Sequence, residues 1–574
     1  MPAGRASNGI APPGRDSLRS RPSGLTKTAL MLFLFVAMLP RASGQVYLAG
    51  GPGGPPAASY TLSGTVINSV TGDGVPYALV QVMDRAQLTG PEGEFRFEGL
   101  PAAEVTPYAR KPGFFNAQER ADRSGGSWRQ DKTVKLGPDT QPVILKLLPE
   151  GVVSGVVTGT DGEPVEGVTL VPHFQQIMNG RRQWEFGQAT TSNEDGEFRI
   201  ANLLPGTYFL SARPQPKRVV RGRQPRQSDE GYAPVFYSAA PDLASATPIV
   251  IQPGARADVS LSLQIERTFR VSGRISGYDL GQGVSLQLKT PSGDEVPMDI
   301  NLDPPSGAFE ASMVPAGSYI LRAFASRPSG RWSHDPGQSL LAELPLQIRG
   351  DVSNVHLVLQ PAPMIPVVVR QEFTNSQERP EGVSAKLRQA QLVSVRLLSL
   401  DRRNSDVFAR FNGPPETSPF VLADAEPGKY RVEITPNGPW YVASAQFGGT
   451  DLAHEDLVIY PGASQPLEVV VRDDAASLDV SLQSDESETQ GTVLIVPDRR
   501  LAPPQLRNAR MGDVGRFGGL APGDYRVFAF DDISGLEYMN ADVMREYFPK
   551  SARITLQAND RASVHLELIH RGEP

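Results

Sequence analysis

The sequence predicts an all-β protein built from tandem β-sandwich domains, and three observations predict it. A Gly-x-Tyr corner followed by alternating apolar residues recurs at Tyr208, Tyr319, Tyr430 and Tyr525, at spacings of 111, 111 and 95 residues. Glycine and proline number 56 and 52 in 574 residues, which suits short strands joined by many turns. Apolar residues alternate with a period of two in segment after segment, and no segment carries a long 3.6-residue pattern. A repeat near a hundred residues is a whole small sandwich rather than a solenoid unit. The length agrees, since a chain of this size suggests roughly three to five domains.

Composition removes several function classes. The net charge of -7 is spread over both signs, so neither nucleic-acid binding nor an acidic tail is indicated. There is no cysteine, which excludes disulfides, a thiolate nucleophile and cysteine-ligated metal.

At the N-terminus, Arg15, Arg19, Arg21 and Lys27 form a basic lead to the apolar run from Ala29 to Leu39. That run is 11 residues long, against the roughly 20 needed to span a bilayer as a helix. Pro40 breaks it, and Ala42-Ser43-Gly44 offers the small residues of a signal-peptidase site. The expectation is a signal peptide over 1–44 cleaved before Gln45, with an uncleaved anchor as the rival. Export places the mature protein in the periplasm, on the cell surface or outside the cell. Residues 45–59 then read as a Gly/Pro linker.

Each period has the same interior order. It opens on an alternating strand around Ser-Gly, as at Ser63-Gly64, Ser154-Gly155 and Ser272-Gly273. An Asp/Gly turn follows, "TGDG" from Thr71 and "TDGEP" from Thr160. A second strand comes next, and then a strand with Phe ten residues before the corner tyrosine: Phe198, Phe309 and Phe420. In the last unit the nearest Phe, Phe517, stands eight residues before Tyr525. Each unit closes on a strongly alternating strand such as "ADVSLSLQI" or "SVHLELI". At the corner, Gly206, Gly317, Gly428 and Gly523 are expected to supply backbone freedom, and the tyrosine to turn its ring inward with its hydroxyl bonded to backbone. That reading is structural and resembles the tyrosine corner of immunoglobulin-like sandwiches.

The motifs together resemble carboxypeptidase regulatory-like domains. Residues 152–210 carry the whole pattern: Ser154-Gly155, Gly162-Glu163-Pro164-Val165, Asp195-Gly196-Glu197-Phe198 and Leu204-Pro205-Gly206-Thr207-Tyr208. Residues 61–115 carry it except at the corner, where "AAEVTPYA" lacks Pro-Gly, and the later units keep mainly corner and closing strand. The resemblance implies a transthyretin-like, seven-stranded sandwich, sometimes classed as a carbohydrate-binding-like fold, that serves as an accessory or surface module and cuts no peptide. The expected units are 60–148, 149–265, 266–362, a divergent 363–474 and a divergent 475–570.

No catalytic constellation emerges. A zinc peptidase needs His-x-x-Glu with a distant second histidine. The one match, His570 to Glu573, is followed only by Pro574. His173, His334, His356, His454 and His565 are isolated in sequence, and His356 and His565 read as sheet-face positions. The loop acids Asp73, Asp161, Glu194 and Asp195 lack the spacing that calcium requires and read as turn chemistry. No cofactor is expected, and no catalytic or metal-binding residue is assigned.

Two features are candidate binding surfaces. One is the basic loop with Lys217, Arg218, Arg221, Arg223 and Arg226, a solvated hairpin or an attractor of acidic glycans or lipid headgroups. The other is Trp128, Trp184, Trp332 and Trp440, which could stack on sugar faces or fill cores. The sequence thus predicts a non-catalytic exported binding or scaffold protein, with carbohydrate binding as the alternative. Its partner would be an envelope protein or polysaccharide, with no nucleic acid and no membrane span in the mature chain.

Overall fold

The computed structural model describes residues 59–571 except 125–132, 216–229, 327–338, 375–391, 401–404, 412–418, 461, 484–489, 511 and 513. The signal segment and all but the last residue of the linker lie outside this range. Strand accounts for 60% of the structure and helix for 4%, as the period-two patterning predicts.

One arrangement occurs five times. Its opening strand is Ser59–Asn68, Gly151–Gly159, Ile265–Ser276, Met364–Glu372 or Ala476–Gln483. Each pairs antiparallel with the strand that leads into the corner: Glu94–Pro101, Glu197–Leu203, Ala308–Pro315, Phe420–Ala423 or Val514–Leu520. On its other edge lies the closing strand, Val143–Pro149, Arg256–Leu263, Val352–Val358, Leu467–Arg472 or Arg561–Glu567, and this pairing is parallel. Parallel neighbours need a long crossover, and the second sheet supplies it. In that sheet Thr169–Met178, Gly283–Lys289, Val393–Ser399 and Gln490–Pro497 each pair antiparallel with the strand that leaves the corner.

Alternation puts one face of every strand inward. The resulting buried clusters run from Leu62 to Leu147, Val153 to Leu263, Phe269 to Leu359, Ile365 to Val471 with Leu501 of the fifth unit added, and Ala476 to Leu566. The fourth differs in detail, since Val407–Phe411 pairs with strands of both sheets and joins them into one nine-stranded path.

The Ser-Gly motif has a steric cause. A Cβ on Gly155 would fall far inside contact distance of the Val259 carbonyl oxygen and 2.9 Å from the Val259 carbonyl carbon. Gly64 and Gly273 meet the closing strand in the same way, at Val143 and Val355. Across the other pairing the fixed phenylalanine stands opposite the glycine: Gly64 with Phe95, Gly155 with Phe198, Gly273 with Phe309. The Phe198 ring carbon Cζ lies 3.1 Å from where a Gly155 Cβ would stand, so the ring covers the bare backbone. In the last unit the partners are exchanged. Gly515, ten residues before Tyr525, pairs with Val480. Phe517, which stood out in the sequence, pairs instead with Leu478.

The expectation for the corner glycines is corrected. Of the four, only Gly523 has a positive φ, 150°. Gly206 has no such angle, and the nearest atom to a Cβ built there is 3.9 Å away. The left-handed residue sits six positions before the tyrosine: Asn202 (φ 58°), Met313 (64°), Asp424 (61°) and Gly519 (71°). At Asn202, Met313 and Gly519 it falls in a bulge against the opening strand, where one extra residue must be absorbed. Asn, Asp and Gly tolerate this conformation, and Met313 does so at a cost. Gly99 (φ 71°) occupies the same bulge in the first unit. Counting six residues on locates the missing corner at Val105, which is buried and pairs with Val134 as Tyr208 pairs with Ile249.

Short helical segments interrupt the sheets, among them Ala117–Ser124 and Ala541–Met544. Ala117–Ser124 begins with a reciprocal cap, in which Asn116 Oδ1 accepts from Glu119 N (2.8 Å) and Glu119 accepts from Asn116 N (3.0 Å). Ala541–Met544 runs into a 3₁₀ turn over Arg545–Lys550. The repeats are also stitched together. Glu230–Tyr232, from the second, adds a strand to the Ile265–Ser276 sheet of the third.

Candidate functional site

The corner tyrosines are the most regular polar groups of the fold. Tyr208 donates to Leu204 O (2.7 Å), Tyr430 to Glu426 O (2.9 Å) and Tyr525 to Ala521 O (2.6 Å), each four residues back. Tyr319 departs, donating to Ala316 O, three residues back, at 3.3 Å. All four rings are buried. Burial pushes the phenols of Tyr208, Tyr319 and Tyr525 up from 10.0 to about 12. A phenol held neutral and donating to a carbonyl closes a bend and has no proton to trade near neutral pH.

The two described tryptophans, Trp184 and Trp440, do not gather. Trp128 and Trp332 lie outside the described residues. Trp440 donates its indole N–H to Leu392 O (2.7 Å) and packs on the core of the fourth repeat. Trp184 stands edge-to-face with Phe209, ring centroids 5.5 Å apart, beside a cavity of about 830 Å³ between the second and third repeats. The basic loop from Lys217 to Arg226 also lies outside the described residues.

The described histidines are dispersed. His173 is wholly buried, its Nε2 2.9 Å from Ser211 Oγ and its ring between Phe186 and Phe236. There the hydroxyl and Nε2 bond each other away from solvent. His565 bonds Ser481 across the parallel pair, and His454 lies 3.1 Å from Asp451. His570 meets Asp531 at 3.2 Å, while Glu573 is outside the described residues and His334 is as well. Of the turn acids, Asp161 accepts from Glu163 N, and Asn193 rather than a carboxylate organises the next turn by accepting from Asp195 N and Glu197 N. Among the described residues no group of three or more metal-ligating side chains converges. Nor is any helix among them long and apolar enough to cross a membrane.

One concentration of charge was not visible from sequence spacing. The hairpin tip around Gly180, in the second repeat, reaches the fourth and fifth. Arg181 pairs with Glu433 at 2.7 Å, both side chains less than a fifth exposed. Arg182 Nε lies 2.8 Å from Glu537, and Met539 N donates to Gly180 O at 3.0 Å. Tyr538 packs so closely on Gly180 that a Cβ there would fall inside contact distance of three atoms of its ring. Beside this contact lies a cavity of about 610 Å³ that Arg431, Arg499, Arg500 and Arg526 also line. A second buried lock joins the third and fourth repeats, with Arg322 between Glu343 (2.7 Å) and Glu426 (2.6 Å). The partners from different repeats lie 104 to 359 residues apart in the chain, so no local motif signals them.

No protein-family model matches the chain, and no curated protein matches it. The carboxypeptidase regulatory-like resemblance therefore rests on the motifs alone. Among solved structures, a streptococcal ancillary pilin aligns over 53% of this chain and 100% of its own at 12% identity and a TM-score of 0.18. A minor pilin of Streptococcus agalactiae aligns over 36% and 95% at 14% identity and 0.17. The pilus adhesin SpaC of Lactobacillus rhamnosus GG aligns over 53% and 44% at 11% identity and 0.17. Scores this low carry no argument about function. What the structure itself establishes is a chain that is all-β and multi-domain.

Proposed function

We propose that this protein is a non-catalytic, exported scaffold whose five sandwich units, 60–148, 149–265, 266–362, 363–474 and 475–570, hold binding surfaces in fixed relation. The observation that carries the reading is the mutual locking of the repeats. A row of independent spacers would present few contacts between distant units. Here the Gly180 hairpin tip reaches across to Glu433 and Glu537, and Arg322 bridges the third and fourth units. Such contacts favour one rigid arrangement over a flexible string. The basic lead and short apolar run of residues 15–39 support export.

The test is fractionation of cells producing the full chain and a chain lacking residues 2–44, with proximity cross-linking in the envelope. The full chain is expected outside the cytoplasm, shortened at the N-terminus and cross-linked to envelope components. An unshortened protein in the cytoplasm, with or without the segment, overturns the reading. A second reading, sugar binding, is favoured at one position only, since Trp184 borders a cavity. Polysaccharide pull-down by the full chain that Trp184→Ala abolishes would support it.

A further inference from the structure

We propose that the cavity at the Gly180 hairpin tip is a binding site for a small polyanion bearing phosphoryl, sulfate or carboxylate groups. The inference stands independently of the scaffold reading.

Charge is the first argument. The chain is acidic overall, with a net charge of -7. The cavity lining nevertheless holds six arginines, 181, 182, 431, 499, 500 and 526, and two carboxylates, Asp498 and Glu537. Three of the arginines are neutralised in place: Arg181 by Glu433, Arg182 by Glu537 and Arg431 by Asp456 at 3.4 Å. The other three, Arg499, Arg500 and Arg526, have no carboxylate within ion-pair distance among the described residues. Gathering like charges around one concavity costs folding free energy unless something opposes it. Burial holds the Arg181 guanidinium below its ordinary pKa, and Arg431 and Arg396 push the same way against Glu433.

Geometry is the second. The lining comes from three repeats, and Arg181, Arg182, Arg431 and Arg526 are placed by strands of those repeats and not by one loop. Arg526 is held without an acid, its guanidinium 3.9 Å from the Phe548 ring centroid and donating to Ser551 Oγ at 3.3 Å. A guanidinium stacked on a ring keeps its outer N–H groups in plane and available, the fork that matches an oxyanion in two contacts at once. Arg499 and Arg500 line the same cavity and stand exposed, on the turn after Gln490–Pro497. A volume near 610 Å³ falls within the range of small-ligand sites. A polyanion bound there would touch the second, fourth and fifth repeats together.

The test is calorimetric titration of the full chain with pyrophosphate and, separately, with citrate, at ionic strength matched with sodium chloride. Saturable one-site binding that weakens with added salt is expected. An Arg499→Ala, Arg526→Ala double variant should lose at least about tenfold in affinity, while Arg256→Ala, a remote exposed arginine, should lose none. If circular dichroism shows the double variant unfolded, the Arg499→Lys, Arg526→Lys pair takes its place; it keeps charge but not the fork, and affinity should still fall. Preference for pyrophosphate would assign phosphoryl recognition and preference for citrate carboxylate recognition; either supports the site. No saturable binding of either probe, unchanged affinity in the double variant, or equal loss in Arg256→Ala overturns it.

Discussion

Replacing Gly155 by alanine should damage the second repeat, whereas replacing Gly206 should not, although Gly206 belongs to the more conspicuous motif. At Gly155 the added methyl meets the Val259 carbonyl, a backbone group of a strand paired in parallel along eight consecutive residues. A side chain could rotate away, but this strand can only shift as a whole, with Phe198 closing the other side. Overpacking of this kind costs about 1–3 kcal/mol, and a backbone obstacle argues for the upper part of that range. Alanine also narrows the unfolded ensemble, which returns about 0.4–1 kcal/mol at either site. The balance is a loss of about 2 kcal/mol for Gly155→Ala and a neutral or slightly favourable change for Gly206→Ala. Hydrogen exchange read by mass spectrometry on the full chain reports this locally. Protection of amides in 151–159 and 256–263 should fall about thirtyfold in Gly155→Ala and hold in Gly206→Ala. If the two variants behave the other way round, the close-approach argument is wrong.

Three further outcomes follow from the same geometry. Tyr208→Phe should cost the second repeat about 1–3 kcal/mol for its lost hydrogen bond and Tyr208→Ala about 3–5 kcal/mol. Tyr319→Phe should cost less than Tyr208→Phe, because its bond is 3.3 Å long; equal costs by hydrogen exchange would contradict the assignment. In the last repeat, Gly515→Phe should overpack against Val480 and Val480→Gly should leave a hole, but the double exchange should recover at least about 1 kcal/mol relative to their sum; simple additivity would show that the two positions do not share a space. The phenols of Tyr208, Tyr319 and Tyr525 are raised in the fold from 10.0 to about 12, so each contributes stability that is complete below pH 10 and is lost as pH climbs towards 12. Far-ultraviolet circular dichroism should therefore collapse in that window together with tyrosinate absorbance at the buried sites, and ionisation of all tyrosines near pH 10 in a still-native protein would refute it.

Fold class was legible because it depends on a local signal. Alternation along "ADVSLSLQI" states that one face is buried whatever the partner strand is, and the 111-residue spacing of the corner tyrosines states that the solution is repeated. The tyrosine hydroxyls reach carbonyls four residues away, so their role also lay within a short stretch. The glycines were read less well. Gly155 is required by a strand 104 residues later in the chain, and the left-handed position before the corner falls on Asn202, Met313 or Asp424, which do not look like turn glycines. Only pairing register reveals that Gly515 and Val480 exchange the places of Phe198 and Gly155, and that Val105 stands where the first corner tyrosine is missing. The arginine cavity was invisible for the same reason. Its charges come from segments around 181, 431, 499 and 526 whose local sequences are unremarkable, and they converge only because the hairpin tip at Gly180 packs against Tyr538. Periodicity decides what each strand buries; the packing of one repeat on another decides which charges meet.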